Sequence, residues 1–261
     1  MSQHSSEPSA KGVAAAPLAA DVGIVAALSI EVGHFLDRLD NVRKYACAKH
    51  TIVEGELGGK IVALIIGGPG RESARNAAEI LIAGHRPRWI VSAGFGGALD
   101  PELRRFDVVM PNEIVDLDGS CFHVDVSIPQ ADQGIRSPRL LTGKLVTIDT
   151  IAGTAADKAA LREQTGASVV DMESSSVAAL CSERIVKFLG IRVVSDTTAE
   201  DLPLEVANLM TKSGGYLVGL ALRSIWNRPS SLKDFWNLHQ TAQEAADRLA
   251  TVMAGVIARL D

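Results

Sequence analysis

Apolar positions along the chain fall into short unbroken runs separated by segments of helical spacing. Residues 21–28, reading DVGIVAAL, form an apolar run bounded by polar groups, the pattern of a buried strand. Val32, Phe35, Leu36 and Leu39 then repeat on one helical face, which puts Glu31 at the strand-to-helix turn. Residues 45–57 alternate loosely and predict one outer strand, followed across Gly58-Gly59 by a second strand over residues 60–67. Residues 71–83 have helical spacing, with Arg71, Glu72, Arg75 and Glu79 on the exposed side.

The same alternation continues downstream. Residues 89–93 predict a central strand running into a glycine-dense turn over 94–98, and 106–110 and 144–149 predict further strands. The stretch 116–138 is polar and proline-bearing, as expected of a surface loop or short hairpin. Helices are predicted over 157–165 and 174–188, and strands over 168–172 and 190–195. A loop over 197–204 leads into mostly helical sequence to Leu260, interrupted near 227–231, with Ser231 a candidate N-cap and Asp234 three residues on. Repeated strand-then-helix units predict an α/β fold, a mixed sheet with helical cover.

Composition narrows the class. A chain of 261 residues with 47% hydrophobic and 22% charged residues can bury a large core, and no internal stretch reads as a linker. One domain over 21–261 is expected behind a flexible tail over 1–20. The formal charge of -5 gives little general pull on nucleic acid or anionic lipid, so neither is an expected partner. Three cysteines, Cys47, Cys121 and Cys181, are too scattered for a disulfide framework or metal knuckle, and Cys181 should be buried and inert. The N-terminus lacks the basic lead and apolar core of a signal peptide, and no run reaches membrane-spanning length, so a cytoplasmic protein is expected.

Chemistry in such folds gathers at the carboxyl ends of strands. That rule selects Glu31, the 67–71 loop, the 94–97 loop, Met172-Glu173 and Ser195-Asp196. Each carboxylate also has a plain structural role open to it. Glu31 can answer free amides at a helix start, Glu173 can cap the helix beginning at Ser174, and Asp196 can close a turn on the amides of Thr198 or Ala199. The GGPGRES segment offers Gly68 and Gly70 amides and Arg71 to an anion, or is simply a tight turn; it matches neither a P-loop nor a dinucleotide fingerprint. No GxSxG elbow, HExxH motif or His/Cys cluster occurs, so neither a serine nucleophile nor a metal is predicted. His34, His50 and His85 read as packing or surface residues, while His123 is a pocket candidate.

Five segments in order carry a family resemblance: GIVAALSIEV with Glu31, GGPGRESARNAAEIL from Gly67, IVSAGFGGAL from Ile90, VVDMESSSVAALC from Val169, and IRVVSD ending at Asp196. Over residues 21–201 the chain resembles the purine nucleoside phosphorylase and uridine phosphorylase superfamily, most closely the branch of methylthioadenosine/S-adenosylhomocysteine nucleosidases. The stretch from Ala221 to Leu249 is similar to hopanoid-associated relatives acting on adenosylhopane. The resemblance implies a single-domain, three-layer nucleoside phosphorylase-like fold with a central mixed sheet flanked by helices, no cofactor, and a dimer or hexamer of identical chains.

It also implies roles. Glu31 matches the glutamate that positions or activates the attacking water, Met172 and Glu173 the pair that packs under the ribose and binds its hydroxyls, and Asp196 the acid at purine N7. Phe95, Gly96, Val170 and Ser195 would line the base pocket; Phe95 stands where the nucleosidases usually carry serine. After Asp196 the chain reads Thr197-Thr198-Ala199-Glu200-Asp201, where the family commonly has a small residue and a second aspartate. Hydrolysis releasing adenine is the favoured activity. Phosphorolysis or an adenosylhopane substrate are alternatives, with Arg71 and Arg43 as phosphate ligands, and so is a nucleoside-binding protein without turnover. A carboxylate at position 31 argues against a phosphate dianion in the same spot.

Overall fold

The computed structural model describes residues 17–126, 138–202 and 232–261, with side chains from residue 240 onward in the last segment. The elements run β1 (Val22–Ala26), α1 (Ser29–Leu36), β2 (Asp40–Cys47), β3 (His50–Leu57), β4 (Lys60–Ile66), α2 (Arg71–His85), β5 (Trp89–Ala98), β6 (Val108–Asp116), β7 (Cys121–His123), β8 (Leu140–Thr147), α3 (Ala155–Thr165), β9 (Val169–Asp171), α4 (Ser174–Arg184), β10 (Lys187–Asp196) and α5 (Leu232–Ile257). The expected tail falls largely on residues 1–16, and the Ser231 cap and the first part of the hopanoid-like stretch fall on 203–231; these lie outside the described residues.

The ten described strands join one mixed sheet in the order β10-β6-β8-β9-β5-β1-β4-β3-β2, with β7 beside β6. A further pairing of β10 with β5 closes β5, β10, β6, β8 and β9 into a ring, and β1, β4, β3 and β2 extend from it as an open wing. β5 makes this branching possible. Its first half pairs with β1 from Trp89 to Ser92, its end pairs with β9 at Gly97 and Ala98, and β10 runs along its other edge throughout.

Alternation along the strands divides the core between two helical layers. Val22, Ile24 and Ala26 of β1, with Val62 and Leu64 of β4, pack with Val32 and Phe35 of α1 and Leu249 and Met253 of α5. Val25, Ala63 and Ile65 point the other way, against Ala74, Ala77 and Leu81 of α2 and Val177 and Leu180 of α4. The result is the expected three-layer arrangement. No described helix is long and apolar enough to cross a membrane.

Several boundaries depart from the sequence patterns. The predicted outer strand over 45–57 is a hairpin, because Ala48 takes a left-handed conformation (φ 51) and turns β2 into β3. The glycine-dense segment 94–98 is not a turn: it continues β5, bonded to β10 through Gly97. Helix α4 stops at Arg184, since Ile185 adopts φ 57 and Lys187 already belongs to β10. The stretch 116–138 opens with the expected short hairpin, β7 folding back antiparallel on β6, and β8 begins earlier than predicted, at Leu140. Cys181 is buried, as expected, and burial pushes its thiol up to about 12.

Candidate active site

Register brings the chemistry to one place. β1, β4 and β10 all run parallel with β5 or its neighbour, so their carboxyl ends share an edge of the sheet. Along β10, Arg192 lies level with Gly94 of β5. β9 runs antiparallel to β5 with Val170 opposite Gly97, so continuing that register carries Glu173 back to the level of Gly94. Glu31, in the first turn of α1 above the end of β1, reaches over the same glycine: a Cβ on Gly94 would stand 2.7 Å from its Oε1. Three charged residues from three distant segments therefore surround one position without a side chain.

The Glu31 carboxylate is buried and accepts three backbone N–H bonds, from Leu28 (2.7 Å), Ala27 (3.0 Å) and Phe95 (3.0 Å). Two of these answer the free amides of the helix start, so its structural role and its place in the cavity coexist. Desolvation by burial raises its proton affinity above the ordinary carboxylate value, against the lowering effect of those amides and of Arg192. Glu173 accepts from the amides of Gly70 (2.9 Å) and Met172 (3.3 Å). Burial, reinforced by the nearby Asp171, pushes its carboxyl up to about 7.

Glu173 does not cap α4 with its side chain; Asp171 does, accepting from the Ser174 amide at 3.0 Å. Asp171 also takes the Thr147 hydroxyl (2.7 Å) and the guanidinium of Arg192, at 2.9 Å from Nε and 2.6 Å from Nη2. Arg192, 1% exposed, gives its remaining donors to the Ser92 carbonyl and hydroxyl and to the Ile191 carbonyl. All five N–H groups of this guanidinium are thereby satisfied. It acts on its surroundings through charge alone.

Glu31, Glu173 and Arg192, with Ser92, Gly94 and the end of β1, enclose a cavity of about 10 Å³, room for about one water molecule. Asp196 does not line it. It ends β10, opposite Gly97, and its carboxylate is held by the Ser195 hydroxyl (2.7 Å) and by Lys158 (2.5 Å), not by amides of a following turn. Phe95 touches the site through its N–H. Gly96 packs between strands, where a Cβ would meet Val169 at 2.8 Å, and Val170 is buried beside Leu99 and Val146.

The glycine loop serves Glu173. Gly70, at φ 91, aims its amide at that carboxylate, a conformation in which a side chain is strained; Gly68 shares the positive φ. Arg71 turns across to the far ends of β6 and β8, pairing with Asp116 and Asp149 and donating to the Thr147 carbonyl (2.7 Å) and the Ser175 hydroxyl (2.5 Å). Arg43 sits on the edge strand β2, paired with Glu54. Neither joins the cavity. His123 lies exposed on β7, His50 on β3, and His34 bonds Gln243 of α5 at 2.8 Å. His85 is buried with Tyr45 and Glu54 on the open wing. Among the described residues no group of His, Cys, Asp and Glu could hold a metal.

Arg192, Asp171 and Lys158 were not selected by the sequence patterns. An arginine within the apolar run IRVVSD was the available signal for the first. A lysine on an amphipathic helix gave none for the last.

Comparison with known proteins finds relatives along most of the chain. The phosphorylase superfamily model matches residues 21–258. A 5'-methylthioadenosine/S-adenosylhomocysteine nucleosidase of Staphylococcus haemolyticus is 27% identical over 195 residues, 67% of this chain and 86% of the relative. Another from Pseudoalteromonas translucida is 28% identical over 204 residues, covering 70% and 87%. The structure of the nucleosidase from S. pneumoniae with a transition-state inhibitor superposes with a TM-score of 0.70 at 19% identity, over 92% of this chain and 99% of that one. None of these relatives bears on the hopanoid-like character of the C-terminal stretch.

Proposed function

The chain belongs to the phosphorylase superfamily, and on that footing we propose that it hydrolyses the N-glycosidic bond of an adenosine-type thioether nucleoside, methylthioadenosine or S-adenosylhomocysteine, releasing adenine. The carrying observation is the water-sized cavity walled by Glu31 and Glu173. As the C1′–N9 bond lengthens, the sugar gains oxocarbenium character and the base gains negative charge. Glu173 accepts hydrogen bonds from the ribose hydroxyls over Met172, Glu31 holds the attacking water and takes its proton, and Asp196, entering in its protonated form, gives its own proton to N7, so one proton is gained at Glu31 as one is lost at Asp196. A carboxylate whose proton affinity is raised by burial is the stronger base when ionised, which suits Glu31 to that step.

Donor accounting favours water over phosphate. Arg71 is engaged by Asp116 and Asp149, and Arg192 by Asp171 and Ser92. The negative charge that the two buried carboxylates carry when ionised repels a dianion at the cavity. The named relatives are nucleosidases, and a cytoplasmic homo-oligomer, dimer or hexamer, is the setting this reading implies.

Incubation with methylthioadenosine, S-adenosylhomocysteine and adenosine, with and without phosphate, tests the proposal. Adenine released at the same rate without phosphate is expected. Strict dependence on phosphate, or tight binding without release, would overturn it.

A further inference from the structure

The third carboxylate of this mechanism is gripped from outside the cavity. Lys158 lies in the first turns of α3, and its side chain is 0% exposed, a rare position for an ammonium group. Its Nζ stands 2.5 Å from Asp196 Oδ2 and donates to the carbonyls of Thr197 (2.7 Å) and Glu200 (2.8 Å). Two of its N–H groups are taken by these carbonyls, and its charge stands against the carboxylate as an ion pair. Oδ1 of Asp196 accepts from the Ser195 hydroxyl, while the buried Oδ2 pairs with the ammonium by charge and forms no hydrogen bond.

The loop that follows is tied to the same end of α3. Asp201 accepts from the Ala155 amide (2.8 Å) and the Leu202 amide donates to Gly153 (2.8 Å). Glu200 accepts from the Thr197 amide (2.8 Å) and pairs with Arg105 (2.5 Å). Lys158 is the only link in this set, among the described residues, that joins the loop to the Asp196 carboxylate itself. A buried ion pair roughly breaks even against well-packed apolar residues, so stability alone is a poor reason for one here.

We propose that Lys158 is a positioning residue for Asp196: its buried ammonium fixes the carboxylate and the first turn of the 197–200 loop in one unit, so that Asp196 meets N7 of the departing base in register. The inference rests on the assignment of Asp196 under Proposed function. Lys158 touches neither substrate nor attacking water and acts through Asp196.

The experiment compares K158M, K158Q and D196N, and the double variants K158M/D196N and K158Q/D196N, with methylthioadenosine as substrate. Lys158→Met removes the charge and both carbonyl bonds; Lys158→Gln keeps amide donors for the carbonyls and removes the charge, so one of them folds if the loop needs only its bonds. The expected result is a fall in kcat of at least tenfold with KM within threefold, and less than twofold further change when the same substitution is made in D196N. Equal losses in the wild-type and D196N backgrounds, or kcat within twofold of wild type in a folded Lys158 variant, would overturn the proposal. Wild-type turnover by D196N would instead overturn the assignment of the acid, and so separates the two failures.

Discussion

Gly94→Ala is the most direct probe of the site, because it adds one methyl group where Glu31, Glu173 and Arg192 converge. The new Cβ would lie 2.7 Å from Glu31 Oε1 and 3.2 Å from its Cδ. No real Cβ tolerates the first distance, so the carboxylate must retreat by several tenths of an ångström. It cannot do so freely: three backbone amides hold it, and the Phe95 amide on the same strand as Gly94 is the bond placed to break. Losing one hydrogen bond to a charged acceptor costs about 1.5–3 kcal/mol, and misplacing a catalytic group by about 1 Å lowers turnover by roughly 10²-fold. Adenine release should therefore fall by about two orders of magnitude in kcat, with a smaller change in KM. Gly33→Ala is the matched control, since it lies on the same helix as Glu31 with nothing within 4 Å of the new Cβ. It should leave kcat unchanged and stabilise the helix by about 0.5–1 kcal/mol. A Gly94→Ala variant with wild-type kcat would refute the convergence on this glycine.

Other expectations follow from the same groups. Glu31→Gln keeps the size and loses the base, so kcat should drop by about 10²-fold or more while nucleoside binding persists in calorimetry; unchanged turnover would remove Glu31 from the mechanism. Glu173, held up to about 7, keeps a proton in the folded chain that the unfolded chain has released from its ordinary carboxylate value upward. The folded state binds more protons across that window, so its contribution to stability declines as pH rises from the ordinary carboxylate value to about 7, by up to on the order of 3 kcal/mol. Glu173→Gln should match wild type in melting temperature near pH 4 and exceed it near pH 8; parallel melting curves at all pH values would contradict the burial of that charge. Asp171→Asn strands the fully buried Arg192 and should destabilise by about 3–5 kcal/mol, a fall in Tm of roughly 10 °C by calorimetry.

The layers of the fold were legible because burial on both faces leaves unbroken apolar runs, and β1, β4 and β10 follow them closely. Glu31 and Glu173 were legible for a related reason: a carboxylate immediately after such a run must either turn to solvent or be held. The segment 94–98 misled because glycine density normally signals a turn. Here the missing side chains make room for neighbours instead, with Glu31 over Gly94 and Val169 against Gly96. Arg71 read as the exposed residue of an amphipathic helix, yet carboxylates at positions 116 and 149 draw it across the sheet. Local periodicity carries no trace of partners 45 and more residues away. Lys158 is the extreme case, since one surface-like lysine in ADKAAL becomes the most deeply buried cation of α3 only once β10 has been laid beside it.

The distribution of charge explains why a cavity so tightly walled can favour cleavage. Arg192 and Asp171 neutralise one another, and their donors and acceptors are saturated by Ser92, Ile191, Thr147 and Ser174. What remains facing the cavity is the pair of glutamates, fixed by backbone amides from the ends of β1, the glycine loop and β5. Burial raises the proton affinity of both, that of Glu173 to about 7, so Glu173 carries a partial negative charge near neutrality. Such a field repels an incoming anion and stabilises positive charge developing on a sugar, and it is already in place before the bond breaks. The amides that hold the carboxylates also limit their reorganisation, so little of that stabilisation is lost to relaxation during the reaction. Phosphorolysis would require the opposite arrangement, with open cation donors where this chain has closed them.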